Sequence, residues 1–273
     1  MRSRARLAAA AGVVSLALAG CEGSTDPERQ LGESPEAAAG GTPEVGTCWA
    51  VPAASAFDAQ YWFDDSARVP CTEPHTTQTA LAVPLAEPTI AAAKERVGER
   101  AGGCWDVVRR YVGIDEEDWI PWGYAAYLPS KEEIANGASW VRCDAVFPET
   151  LAYHGARTIT VPAAGLARDA PGDFWACLDQ PPTQTEQPFV PCDQPHSYEQ
   201  TGKLAILHGL DQYPSATELA AEARRQCRPG VPAGYEDVSV TAGWDPRSVL
   251  KDGSSIAGSC FMFNADGQPL PAR

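Results

Sequence analysis

The chain has 273 residues, 36 of them acidic against 21 basic, for a formal charge of −15. An acidic chain repels phosphate backbones and anionic headgroups, so nucleic acid is a poor partner. Beyond the first twenty residues no stretch is apolar over the ~20 positions that a membrane-spanning helix needs.

Residues 1–20 read as a leader. Arg2, Arg4 and Arg6 precede the apolar run Leu7 to Leu18, which is too short for a span and of the right length for a signal-peptide core. The run ends in Leu18-Ala19-Gly20-Cys21, which resembles the lipobox of bacterial lipoproteins. That resemblance implies cleavage before Cys21 and a diacylglyceryl group on its thiol; two or more acyl chains anchor stably where one binds only marginally. Loss of three arginines and no acids takes the charge from −15 to −18. Residues 21–46 are rich in Glu, Pro, Ala, Gly and Ser, have almost no large apolar side chain, and read as a flexible linker. About 225 residues remain.

Of nine cysteines, eight remain once Cys21 is assigned to lipid. An even number in an exported chain argues for disulfides, and no C-x-x-C pair suggests a zinc ribbon or a redox motif. The stretch Val69-Pro70-Cys71-Thr72-Glu73-Pro74-His75 brings a cysteine, a carboxylate and a histidine within five residues. It offers metal ligands, a nucleophile with its base, or a stiff turn closed by a disulfide. It recurs 121 residues later as Val190-Pro191-Cys192-Asp193-Gln194-Pro195-His196, and the surroundings recur with it.

Cys48 leads the first copy and Cys177 the second. Thr89 to Gly102 reads as a helix running to Cys104, with Thr89 as N-cap and Ile90, Ala93, Val97 and Ala101 on one face. Ser215 and Glu218 form a capping box for a helix that runs through Leu219, Ala220 and Ala223 to Cys227. Each half closes on an apolar strand, Trp140 to Phe147 bearing Cys143 and Ser259 to Phe263 bearing Cys260. The expected fold is α+β: two tandem, small, disulfide-stapled domains at 47–147 and 173–273, each a small antiparallel sheet with one main helix. Residues 148–172 join them, and Thr158-Ile159-Thr160-Val161 reads as an added edge strand.

Four cysteines allow three pairings in each half. A hairpin with Cys48 opposite Cys71 pairs Trp49 with Pro70 and Ala50 with Val69. It favours Cys48–Cys71 and Cys104–Cys143, with Cys177–Cys192 and Cys227–Cys260 as equivalents. Each bridge is worth about 3 kcal/mol on a chain-entropy basis.

Several residues of the first half together resemble the septum-formation domain of actinobacterial lipoproteins. They are Gly46-Thr47-Cys48, Val69-Pro70-Cys71 with Pro74-His75, Cys104 with Tyr111-Val112-Gly113, Pro129, and Trp140-Val141-Arg142-Cys143. The second half keeps Val190-Pro191-Cys192, Pro195-His196, Cys227, Pro246 and Cys260, but no Tyr-x-Gly clearly follows Cys227, and Ala257 stands near the expected place of Trp140. The resemblance implies an extracytoplasmic, membrane-anchored protein tied to division or the envelope. It carries over no enzymatic activity.

No G-x-S-x-G, H-E-x-x-H, P-loop or dinucleotide motif appears, so no catalytic residue and no cofactor is assigned. Cys71, His75, Cys192 and His196 would supply a Cys₂His₂ metal set only with reduced thiols; disulfides are the expectation, and no metal is assigned. The candidate binding residues are His75 and His196 together with Trp119, Trp122 and Tyr124. The last three belong to an aromatic run, 119–127, that is either an interaction patch or a loop packed over the core. The expected protein is a lipid-anchored interaction module on the extracytoplasmic face of the membrane. Its partner is an envelope protein or a cell-wall component. The alternatives are a small-ligand or cell-wall-glycan binder using the aromatic run and, behind it, an enzyme of unrecognised type.

Overall fold

The computed structural model describes residues 41–57, 62–98, 103–115, 120–169, 175–182, 186–207, 215–240 and 256–272. In chain order the elements are β1 (Cys48–Trp49), β2 (Trp62–Asp64), β3 (Arg68–Val69), β4 (Thr77–Pro84), α1 (Ile90–Val97), α2 (Cys104–Val112), β5 (Gly123–Pro129), α3 (Lys131–Ala135), β6 (Trp140–Val146), α4 (Leu166–Asp169), β7 (Cys177–Leu178), β8 (Tyr198–Leu207), α5 (Ala216–Cys227), β9 (Tyr235–Val240) and β10 (Ile256–Asn264). The fold is α+β with two sheets and four disulfides. No helix among the described residues is long and apolar enough to cross a membrane.

The first sheet has the order β2-β5-β6-β4-β1-β3, the second β7-β8-β10-β9. Read from the other end, the second runs β9-β10-β8-β7, the same succession as β5-β6-β4-β1. Cys48 lies opposite Gln78 in the first sheet, and Cys177 lies opposite Glu199 in the second. Both sheets carry a register shift where the central strand meets its partner, between Thr79 and Leu81 and between Ser259 and Phe261. β2 adds to β5 in parallel, a departure from the all-antiparallel expectation.

Both faces of the first sheet are covered, so every residue of β6 is buried. One face meets the helices. Val141, Cys143 and Ala145 pack with Ala93 and Val97 of α1 and with Val108 and Val112 of α2. On the other, Val146 packs with Ala125, Tyr127, Trp49 and Val51. The second sheet has a smaller apolar cluster of Leu178, Phe261, Ala176 and Leu151, the last supplied by the connecting segment.

The helices differ from the sequence reading in one respect. The helix begun by Thr89, whose hydroxyl accepts from the Ala92 amide, ends at Val97 and not at Gly102. Gly98 turns the chain so tightly that a Cβ there would lie 2.3 Å from the Lys94 carbonyl oxygen. Cys104 therefore opens a second helix, α2, instead of closing the first. Cys104, Val108 and Val112 recur every fourth residue on its buried side, Arg109 and Arg110 complement the dipole at its end, and Gly113 caps it at φ 87°. In the second half α5 has the expected Ser215–Glu218 capping box and does run to Cys227.

The cysteines pair as Cys48–Cys71, Cys104–Cys143, Cys177–Cys192 and Cys227–Cys260. The hairpin register differs from expectation: Cys48 faces Val69 and Trp49 faces Arg68, with Cys71 just past the strand end. The segment 148–172 does more than connect. Ile159 forms a two-bond bridge with His75, Pro148 pairs with Ala156, and Thr150 pairs with Pro188.

Candidate functional site

The two Pro-His motifs are built alike. After β3 the Glu73 amide donates to the Pro70 carbonyl and closes a turn; the Gln194 amide does the same to Pro191. The proline then fixes the backbone ahead of the histidine. Nδ1 of His75 lies 2.8 Å from the Glu73 carbonyl oxygen, and Nδ1 of His196 lies 2.8 Å from that of Gln194. A carbonyl only accepts, so Nδ1 carries the hydrogen in both rings. The peptide of His75 bridges to Ile159 and that of His196 to Leu270. Both histidines are 1% exposed.

They differ at the other nitrogen. Nε2 of His75 has no hydrogen-bond partner among the described residues, and burial holds its pKa below the usual value, so the ring is neutral. Nε2 of His196 faces Oε2 of Glu199 at 3.3 Å. With Nδ1 committed to the Gln194 carbonyl, the Nε2–Oε2 contact is a buried hydrogen bond between ring and carboxyl. At the position of Glu199 the first half has Gln78, whose amide donates to the Gly46 carbonyl at 2.9 Å and to the Cys71 sulfur at 3.3 Å.

Sequence reasoning missed a buried charge network around Arg142. Arg142 is 1% exposed and donates through Nε to Oδ2 of Asp144 at 3.0 Å and through its terminal nitrogen to Asp64. Its guanidinium lies 3.6 Å from the centre of the Trp49 ring and 4.7 Å from that of Tyr127. Asp144 also accepts from Thr77 at 2.8 Å and from Thr79 at 3.0 Å. Burial nevertheless pushes the Asp144 carboxyl above the usual carboxylate range, with Arg142 pulling the other way. The same burial, with the Asp144 charge, raises the phenol of Tyr111 to about 12. The signal was present: Arg142 and Asp144, two apart in an otherwise apolar strand, share a face. In the second sheet their places are held by Ser259 and Phe261, both buried.

The aromatic run is largely inside. Ile120 and Trp122 are buried, Tyr124 is half-buried on β5, and Trp119 lies outside the described residues. Gly123 begins a strand in place of the expected loop; a Cβ there would meet the Phe57 ring at 2.5 Å. An exposed aromatic next to the run is Trp105 on α2, 51% accessible, with its ring 4.3 Å from that of Trp122. Of the other histidines, His154 is exposed with Nδ1 2.7 Å from a Glu186 carboxylate oxygen, and His208 lies outside the described residues.

Two clefts share Trp175. One, of about 570 Å³, is lined by Arg109, Arg110, Arg168, Asp115 and Ile120. The other, of about 460 Å³, is lined by Arg157, Glu149, Phe189, Pro191 and Cys192. Arg157 donates through Nε to the Pro148 carbonyl at 3.0 Å and lies 4.4 Å from the centre of the Phe189 ring. Burial lowers its pKa to about 10, so it stays charged at neutral pH. One terminal nitrogen has no partner among the described residues. The arrangement suits a carboxylate or phosphate set beside an apolar group.

Residues 121–248 match the septum-formation family model. The matched span runs from the turn before β5 to beyond β9, so it takes strands from both sheets. It contains Pro129, Trp140 to Cys143, the second Val-Pro-Cys and Pro-His motif, Cys177 and Cys227. The residues before Pro121 on which much of the family resemblance rests, Gly46 to His75 and Cys104 to Gly113, lie upstream of it. No curated protein and no solved structure matches the chain. The septum-formation match points to a role in septum formation or the cell envelope.

Proposed function

We propose that this chain is a lipid-anchored, extracytoplasmic interaction module of the division septum or the surrounding envelope, built from two divergent copies of a septum-formation-like unit. The observation that carries the septal assignment is the match over residues 121–248. Three arginines, a short apolar run and Cys21 support the anchor, and four disulfides suit an oxidising compartment. The repeated strand succession and cysteine pairing support the two-copy reading. Binding rather than catalysis is favoured because all eight described cysteines are paired and both motif histidines are buried.

The cleft around Arg157 offers an anionic group of a partner a charged guanidinium beside the Phe189 ring. The test is fluorescence localisation of the full chain in dividing cells. Enrichment at septa that is lost in Cys21→Ser and weakened in Arg157→Met supports the proposal. Uniform distribution with unaltered septation on depletion overturns it. Cys21→Ser also removes the lipid mass shift; an unchanged mass refutes the anchor. Trp105, exposed beside Trp122, keeps a glycan reading in play. Co-sedimentation with purified cell wall that survives Trp105→Ala removes that reading.

A further inference from the structure

The second Pro-His motif gathers a cysteine, a histidine and a carboxylate, where the first has Gln78 in place of the carboxylate. A ring nitrogen of His196, a carboxylate oxygen of Glu199 and the sulfur of Cys177 lie within 4.8 Å of one another, all buried. Their closeness follows from the sheet: Cys177 faces Glu199 across β7 and β8, and His196 stands three residues before Glu199. Cys192, bonded to Cys177, brings a second sulfur to the same place.

We propose that reduction of Cys177–Cys192 converts this cluster into a zinc-type site, with Cys177, Cys192, His196 and Glu199 as ligands. The His196 and Glu199 atoms are already spaced for it. Two ligands at about 2.0–2.1 Å from a tetrahedral ion stand about 3.3–3.4 Å apart, and Nε2 and Oε2 are 3.3 Å apart. Nδ1 is tied to the Gln194 carbonyl, the outer hydrogen bond that fixes ring orientation in metal-bound histidines. In the oxidised chain a hydrogen occupies the gap between ring and carboxylate. An external dithiol supplies two electrons and two protons, becomes a disulfide itself, and leaves two thiols. Zn²⁺ then displaces both thiol protons and the hydrogen shared between Nε2 and Oε2, releasing three protons. Two thiolates, one carboxylate and the cation leave a net charge of −1.

The first half is an internal control. Gln78 replaces the carboxylate and its amide donates to Gly46 and to the Cys71 sulfur. Freed thiols there face a neutral amide and a neutral imidazole.

The probe is Co²⁺ alone, added anaerobically to the full chain with Cys192→Ser, which frees the Cys177 thiol while the other three disulfides stay closed. The expected result is one tetrahedral Co²⁺ per chain with a thiolate-to-cobalt charge-transfer band, displaced by Zn²⁺. Adding Glu199→Gln should weaken binding by about tenfold or more. Cys71→Ser, which frees Cys48 beside His75 and Gln78, should give no such band. A folded Cys192→Ser chain without the band overturns the proposal, as does equal affinity after Glu199→Gln or in Cys71→Ser. Where Cys192→Ser does not fold, the wild-type chain is reduced mildly with and without Zn²⁺ and then alkylated. Zinc-dependent protection confined to Cys177 and Cys192 supports the site, and equal alkylation refutes it.

Discussion

Arg142→Met isolates the buried charge network of the first sheet. The new side chain keeps an apolar stem beside Trp49 but removes the cation that faces Asp64 and Asp144. Asp144 is then left, fully buried, with only the Thr77 and Thr79 hydroxyls. Breaking a buried pair from one side costs about 3–5 kcal/mol. At about 2–4 °C per kcal/mol for a chain of this size, melting falls by about 6–20 °C. The loss depends on pH with a definite sign. The folded-state pKa of Asp144 is already raised above its unfolded value of 3.8, and removing Arg142 raises it further. Its contribution is therefore fully present below 3.8 and is lost as pH rises through the folded value. The variant should thus be less impaired in mild acid than at neutral pH. A second variant combines Asp64→Leu, Arg142→Met and Asp144→Leu. The second sheet has Ser259 and Phe261 at the equivalent places and needs no ions there, so this triple should recover most of the loss. Urea denaturation with disulfides intact, followed by far-UV circular dichroism, measures all three proteins. Arg142→Met within about 1 kcal/mol of wild type at neutral pH would refute the reasoning, as would a triple no better than the single.

Other outcomes follow from the same geometry. His75→Asn keeps a donor for the Glu73 carbonyl but removes the titrating ring. Because burial lowers the folded pKa of His75 below 6.5, its stability contribution is present above that value and lost as pH falls through the folded one. Urea midpoints of wild type should drop more than those of the variant between about pH 7.5 and 5.5, and parallel slopes would contradict this. Gly113→Ala places a methyl at φ 87° and 3.3 Å from Gly165 Cα, so a loss of about 1–2 kcal/mol is expected by thermal melting. Thiol titration of the unfolded, unreduced protein should find none of the eight described cysteines free; four free thiols would break the disulfide framework. Replacing Cys104 and Cys143 together by Ala opens a separation of 39 residues, with an expected loss of about 4 kcal/mol.

What the sequence disclosed was mostly local or repeated. The capping box at Ser215, the N-cap at Thr89 and the recurrence around Cys71 and Cys192 each involve residues a few positions apart, where backbone chemistry decides the outcome. The cysteine pairing followed from the expected hairpin, carried to the second half by the recurrence, although the register of that hairpin differs. Periodicity also misled: Ile90, Ala93, Val97 and Ala101 fall on one helical face and imply a single helix running to Cys104, whereas Gly98 ends one helix and Cys104 begins the next. Residues Cys104, Val108, Val112 and Gly113 carried that second helix openly. The Arg142 network was hidden for a different reason. Charge on alternate strand positions usually marks a wet face, and only the covering segment with Trp49 and Val51 makes it dry. The hairpin register shifted because Cys71 reaches Cys48 from beyond the strand, where side-chain direction is no longer set by the pleat.

The disulfide pattern has a consequence for biogenesis. Each bridge joins cysteines that are consecutive in the chain: 48 with 71, 104 with 143, 177 with 192, and 227 with 260. As the region from residue 47 onward emerges N-terminus first, each new odd-numbered thiol of the series finds the earlier pairs already sealed. Its partner is the next to arrive. At any moment at most one of the eight waits unsealed, so stepwise oxidation during emergence yields the native set without reshuffling. Oxidation of the complete reduced chain has no such ordering and must sort eight thiols at once.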